Sequence, residues 1–172
     1  GLTDFYNAWK VADLAALGNW TTYNPDMANQ LLDEAGLSRG ADGIRVTPDG
    51  TRMSYNVMVL PAPNWIADLQ IASENLRDVG IELTVQPNPN FPEWLQTAQT
   101  GNFDMHFSIV DGNATPFRFY RNTMSSELLA PEGTPAQGNY SRYAGAAADE
   151  LLTQFASAPD LEQQMQVAAA LQ

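Results

Sequence analysis

Apolar positions along the chain switch between helical and strand spacing, and the switches lay out its elements. Leu2, Phe5, Trp9, Leu14 and Leu17 follow a helical pattern that leads into the segment Gly18–Tyr23. The clearest helix comes next. Asn24 is a good N-cap, Pro25 suits the first helical position, and Asp26 favours the positive end of the helix dipole. Met27, Leu31 and Leu32 give this helix an apolar stripe that we expect to be buried, and Gly36 ends it. Asp42-Gly43 and Pro48-Asp49-Gly50 bracket the short run Ile44–Thr47, which with Met53–Leu60 reads as a β-hairpin.

Met53–Leu60 is the first long strand, closed by Pro61-Ala62-Pro63. A helix then runs from Asn64 or Trp65 to Val79, with Leu69, Ala72, Leu76 and Val79 on one face and Gly80 as its cap. Ile81–Gln86 alternates as a half-exposed strand does, and a short helix covers about 92–100. Phe103–Val110 is nearly continuous apolar sequence, the mark of an interior strand covered on both faces. An irregular loop (Asp111–Pro116), a helix near Phe117–Met124, a Gly/Pro loop from Ala130 to Gly138 and helices from about Ala146 and Asp160 complete the chain. Strand–helix–strand–helix–strand with short connections predicts an α/β fold, a mostly parallel central sheet flanked by helices.

Composition narrows the function. The 172 residues suit one domain, and 44% hydrophobic against 16% charged is a globular balance. Twenty acids against eight bases give a formal charge of −12, which repels nucleic-acid phosphates and anionic lipid headgroups. With no cysteine, thiol catalysis, Cys-based metal centres and disulfides are all excluded. No apolar run reaches the ~20 residues that span a bilayer. The chain opens without methionine and closes inside the helical pattern Leu161–Gln172, so we expect a piece of a longer protein.

Catalytic chemistry is poorly supported. The single histidine, His106, lies in an apolar strand with Asp104 on the same face, but no G-x-S-x-G elbow supplies a nucleophile. Most acids sit at helix starts or turns. Asp42, Asp49 and Asp104 do not have metal-loop spacing, and no glycine-rich phosphate cradle occurs. We therefore expect no catalytic residues, no metal and no cofactor. Aromatics are more suggestive. Trp65 follows a strand's carboxyl end and Trp94 starts a helix, while Ser108 and the loop Asp111-Gly112-Asn113 close another strand. Ligands of open α/β sheets lie at such ends. Each tryptophan can equally be a core anchor, the reading that Trp9 favours.

Several segments carry a family resemblance. Tyr23–Gly36 (Tyr-Asn-Pro-Asp-Met-Ala-Asn-Gln-Leu-Leu-Asp-Glu-Ala-Gly) resembles a "Y-D-P-x-K-A-x-x-L-L-x-E-A-G" helix, and Asp42-Gly43 through Gly50 a "D-G…D-G" hairpin. Leu76–Leu83 is similar to "L-x-x-I-G-I-x-V", Gly101-Asn102-Phe103-Asp104 to "G-x-F-D", and Asn139–Tyr143 to "N-x-x-x-Y". In this order the motifs resemble the C-terminal lobe of the peptide/nickel/oligosaccharide class (family 5) of solute-binding proteins of ABC importers, over most of residues 20–172.

The resemblance implies a single lobe over 1–172, with about 1–22 as lead-in and 23–172 as the main α/β body. The missing N-terminal lobe of the same chain would close over a small-molecule ligand, an oligosaccharide or oligopeptide. Implied partners are the ABC permease subunits, and the implied location is extracytoplasmic: periplasmic, or lipid-anchored on the outer face of the membrane. The family's helix-start tryptophan lines the ligand site, and Trp94 matches it; the loop after "F-D" maps onto Val110–Thr115. Two departures bear on the ligand. Peptide binders commonly carry a Trp in that loop and an Asp about two places later than Asp111, and no arginine lies between Arg77 and Arg118 to meet a peptide carboxylate. Asn64-Trp65 and the Asp-Gly-Ile-Arg turn look like the oligosaccharide (cellobiose-type) branch, so a β-linked oligosaccharide is favoured over a peptide. A sensing variant of the same lobe and an α/β hydrolase stand as the other readings.

Overall fold

The computed structural model describes Trp9 and residues 22–108 and 115–172. The chain divides into two compact units. One comprises Thr22–Ala98 with Phe103–Ser108; the other includes Gln99–Asn102 and the residues from 115 on, together with Trp9.

The first unit holds the sheet. Helix α1 (Pro25–Glu34) starts as its sequence dictates, with the Asn24 side chain accepting from the Met27 amide at 3.0 Å. Its apolar stripe is not buried, however. Met27 and Leu31 are exposed and only Leu32 is half-buried. The helix is held instead by polar contacts through a buried arginine. Short strands β1 (Ser38–Arg39) and β2 (Arg45–Val46) pair antiparallel, and Arg45, at 1% exposure, fans out beneath α1. Its Nε donates to the Val79 carbonyl (2.7 Å), one Nη to Asp33 (2.5 Å) and to the Leu37 carbonyl, and the other Nη to Asn29 Oδ1 (2.9 Å).

The sheet follows. Strand β3 (Ser54–Val59) leads to helix α2 (Pro63–Asp78), strand β4 (Glu82–Pro87), helix α3 (Phe91–Thr100) and strand β5 (Met105–His106). The order is β4-β3-β5, all parallel, with Val57 opposite both Val85 and Met105. Val57, Val59, Leu69 and Leu83 form the core, with Trp65, Ile66, Leu76 and Phe107 packed against it. Each such aliphatic side chain taken from water contributes about 1.5–3 kcal/mol. Gly80 turns α2 into β4 at φ +90°. A Cβ there would lie 2.7 Å from Arg45 Cγ, so the turn and the buried arginine require each other.

Two expectations change. The hairpin is short: the Thr47 amide donates to the Thr51 carbonyl, Val46 bridges Arg52, and the Met53 amide donates to the Arg45 carbonyl. The long strand then leaves to pair in parallel, because β4 and β5 offer it two partners. The Phe103–Val110 run gives a strand of two described residues on the sheet's margin; β3 is the interior strand.

The second unit is helical. Helices α4 (Phe117–Met124), α5 (Ala146–Ser157) and α6 (Leu161–Leu171) bury Tyr120, Leu152, Phe155, Ala168 and Leu171, and Trp9 packs on Phe155 with ring centres 6.0 Å apart. Asn139, 1% exposed at φ +47°, pins the preceding loop. Its amide donates to the Ser125 and Tyr143 carbonyls (2.9 and 2.7 Å) and its Oδ1 accepts from the Tyr143 amide (3.0 Å). Arg142 donates to the Gln99 carbonyl (2.9 Å) and lies where a Gly101 Cβ would stand. The helical pattern expected over 2–17 lies, apart from Trp9, outside the described residues.

Candidate functional site

Because β3, β4 and β5 run parallel, the segments leaving their carboxyl ends emerge on one edge of the sheet. From β3 come Asn64 and Trp65, from β4 the entry to α3, and from β5 Phe107 and Ser108. Asn64 and Ser108 are exposed. Trp65 is half-buried, with its ring 5.6 Å from Phe107 at 60°. Asn88 closes the edge, its amide donating to the Val59 carbonyl at 2.8 Å. Asp111, Gly112 and Asn113 lie outside the described residues.

Trp94 sits deeper than a surface stacking residue, at 3% exposure. Phe91, one turn earlier on α3, stacks on it (5.6 Å, 27°) and is 51% exposed. The sequence reading overlooked Phe91. Its signal was the i, i+3 spacing to Trp94, which sets both rings on one helix face. The Trp94 indole N–H is buried with no hydrogen-bond partner among the described residues, an arrangement that ordinarily costs about 1–3 kcal/mol.

His106 lies on the indole, with ring centres 4.4 Å apart, and its Nε2 is 3.0 Å from the Trp94 carbonyl. Burial pushes its pKa below the usual histidine value, while the hydrogen bond to Trp94 opposes the shift. Asp104 does not orient this imidazole. Its carboxylate instead accepts from the Asn56 amide (2.9 Å) and side chain (3.1 Å), tying β5 to β3. The Asp104–His106 pairing that a hydrolase would use is therefore absent. Among the described residues, no three His, Asp or Glu side chains gather as a metal site.

The arrangement can take up a ligand through aromatic faces and uncharged polar groups at the strand ends. The sequence profile of bacterial extracellular solute-binding proteins, family 5, middle region, matches residues 3–130. The chain belongs to this family. No curated protein matches it in sequence, but solved structures of family 5 type share its fold. An oligopeptide ABC transporter periplasmic binding protein of Thermotoga maritima with bound mannohexaose superposes with a TM-score of 0.77 at 23% identity, over 87% of this chain and 28% of that one. NikZ from Campylobacter jejuni in complex with Ni(L-His) gives 0.74 at 17%, and AppA from Bacillus subtilis in complex with a nonapeptide 0.72 at 23%. Each covers 87% of this chain and 29% of its own. The family 5 chain thus spans under a third of the length of these proteins, and its parallel sheet with flanking helices is the periplasmic-binding-protein fold.

The family 5 motifs turn out to be mostly scaffold. Asn24 and Gly36 bound α1, Gly80 makes room for Arg45, Gly101 for Arg142, and Asn139 pins a loop. None of these residues is among those at the strand carboxyl ends.

Proposed function

We propose that the chain is one lobe of the solute-binding component of an ABC importer, capturing a small ligand without catalysis. The ligand would lie across the carboxyl ends of β3, β4 and β5, against Trp65, Asn64, Ser108 and Phe91 backed by Trp94, with Asp111, Gly112 and Asn113 next in the chain. The remainder of the parent protein, which we place on the N-terminal side, would close over it and dock on the permease subunits outside the cytoplasmic membrane, in the periplasm or on a lipid anchor. One observation supports this reading: the Trp65–Phe107 and Phe91–Trp94 ring pairs and the exposed Asn64 and Ser108 lie on segments that follow the carboxyl ends of parallel strands, where ligands of open α/β sheets lie.

A β-linked oligosaccharide fits this surface best. No lysine or arginine occurs between Arg77 and Arg118, so the stretch running from β4 past β5 offers no cation to a carboxylate, whereas sugar faces stack on rings and hydroxyls accept neutral partners. The mannohexaose held by the Thermotoga maritima protein supports that class; the nonapeptide held by AppA favours an oligopeptide as the second reading. In calorimetry, this chain alone should bind cello-oligosaccharides weakly, because the other lobe's contacts are missing; tight, stoichiometric binding would overturn the two-lobe reading. A thermal-shift screen of the complete protein against short glucans, di- and tripeptides and nickel separates the ligand classes.

A further inference from the structure

The Phe91–Trp94–His106 cluster does more than fill space. Phe91 projects about half its surface from α3, and the only ring it stacks on among the described residues is Trp94. An exposed aromatic side chain free to change rotamer would lose entropy whenever it stacked on a ligand. What fixes Trp94 therefore fixes the exposed ring. The Trp94 carbonyl lies inside a helix and already accepts from the amide four residues on. His106 Nε2 supplies a second tether at 3.0 Å, one that the helix does not require. A carbonyl only accepts, so Nε2 carries the hydrogen and Nδ1 is the bare nitrogen of the neutral ring. The same imidazole rests on the indole at 4.4 Å, and Phe103 is 5.5 Å away on its own account.

We propose that His106 is a positioning residue: its Nε2–H and ring face lock Trp94, and through Trp94 the exposed Phe91 ring, in the orientation that receives the ligand. The consequence for binding rests on the functional reading above; the locking itself does not. Protonation places a charge on a half-buried ring packed against two aromatic residues, which burial disfavours, while Nε2–H donates to the Trp94 carbonyl in either form. On the elements that meet the ring, Glu93 precedes Trp94 on α3, and Asp104, two residues before His106, is engaged by Asn56. Strand β3 opposite presents Val57 and Met58, neither of which ionises.

The test is indole NMR on the ¹⁵N-labelled chain, whose four tryptophans give four Nε1–H cross-peaks, that of Trp94 being identified by W94F. We expect the Trp94 peak to follow an imidazole titration with its midpoint below the usual histidine range. In H106Q that titration should vanish, with Glu93 and Asp104 intact, while the peak stays near its neutral-form position because the glutamine amide can donate to the same carbonyl. H106L, which cannot donate, should shift and broaden the peak. A Trp94 peak that ignores the imidazole titration overturns the proposal, as does an H106Q shift as large as that of H106L; the first result needs no variant that might fail to fold. In the complete protein with mannohexaose as probe, H106L should weaken binding by about tenfold or less, and the H106L/F91A double variant should lose no more than F91A alone. If neither mannohexaose nor trialanine binds the complete protein, the functional reading fails, and the indole titration still decides the positioning role.

Discussion

Replacing Arg45 with alanine tests the physical logic of the sheet unit most sharply. The guanidinium is 1% exposed and supplies donors to the Val79 and Leu37 carbonyls, to Asn29 and to Asp33. Its partners differ in what they lose. Asp33 is 68% exposed, so water takes over that carboxylate and the ion pair contributes no more than about 1 kcal/mol. Buried carbonyls left without a donor cost about 1–3 kcal/mol each, and the lost stem leaves a cavity under Gly80. Together R45A should cost about 3–5 kcal/mol, a large part of a stability that for most domains is only ~5–15 kcal/mol. R45K should recover part of this, because a lysine reaches one or two of the acceptors but not all of them. D33N should cost about 1 kcal/mol or less. Urea unfolding followed by far-UV circular dichroism reads all three as shifts in midpoint at unchanged slope. If D33N matched R45A, the ion pair would be the main contribution and the carbonyl argument would be wrong.

Three further outcomes follow from the same contacts. N139A should destabilise the helical unit by about 3 kcal/mol or more, since it orphans two carbonyls and an amide and puts alanine at φ +47°; thermal scans should place N139D, which keeps the acceptor, between parent and N139A. W94A should cost about 3–5 kcal/mol of stability as a buried ring is removed, whereas F91A should leave unfolding nearly unchanged and weaken ligand binding by about 1–3 kcal/mol in the complete protein; the reverse ordering would exchange their roles. Glu82 is held at a pKa of about 2 by hydrogen bonds from Arg52 and then Ser54, below its ordinary 4.5. A lowered carboxylate stabilises above its unfolded value and stops doing so as pH falls through the folded one. The gap in urea midpoint between parent and E82Q should therefore close from pH 4.5 to about 2, and a gap constant over that range would contradict the assignment.

Which parts of the molecule were legible in the sequence follows from how local their causes are. The start of α1 was legible because Asn24 and Pro25 act within one turn, and the β3–α2–β4–α3 succession because its periods and stop signals are local too. Burial is not local. The stripe of Met27 and Leu31 has the right spacing, but nothing in the spacing says that a neighbouring element covers it, and none of the described elements does. Likewise, apolar character alone does not fix strand length: Phe103–Val110 reads as a long interior strand, yet only Met105 and His106 pair among its described residues. The burial of Arg45 gave no signal, since a charged residue in a short hairpin run reads as a solvated one. At the candidate site, tryptophan drew attention to the buried ring and away from Phe91, the one that faces outward.

The order β4-β3-β5 also says something about how the sheet meets other chains. Its margins within the described sheet are ill-suited to receive a foreign strand. β4 alternates polar Glu82, Thr84 and Gln86 and ends in Pro87, which lacks an amide hydrogen. β5 is two residues long, with the Asp104 charge beside it. An exposed edge of a parallel sheet is ordinarily a template for aggregation; here the described margins are blunted at either side, which disfavours strand pairing with other copies along them.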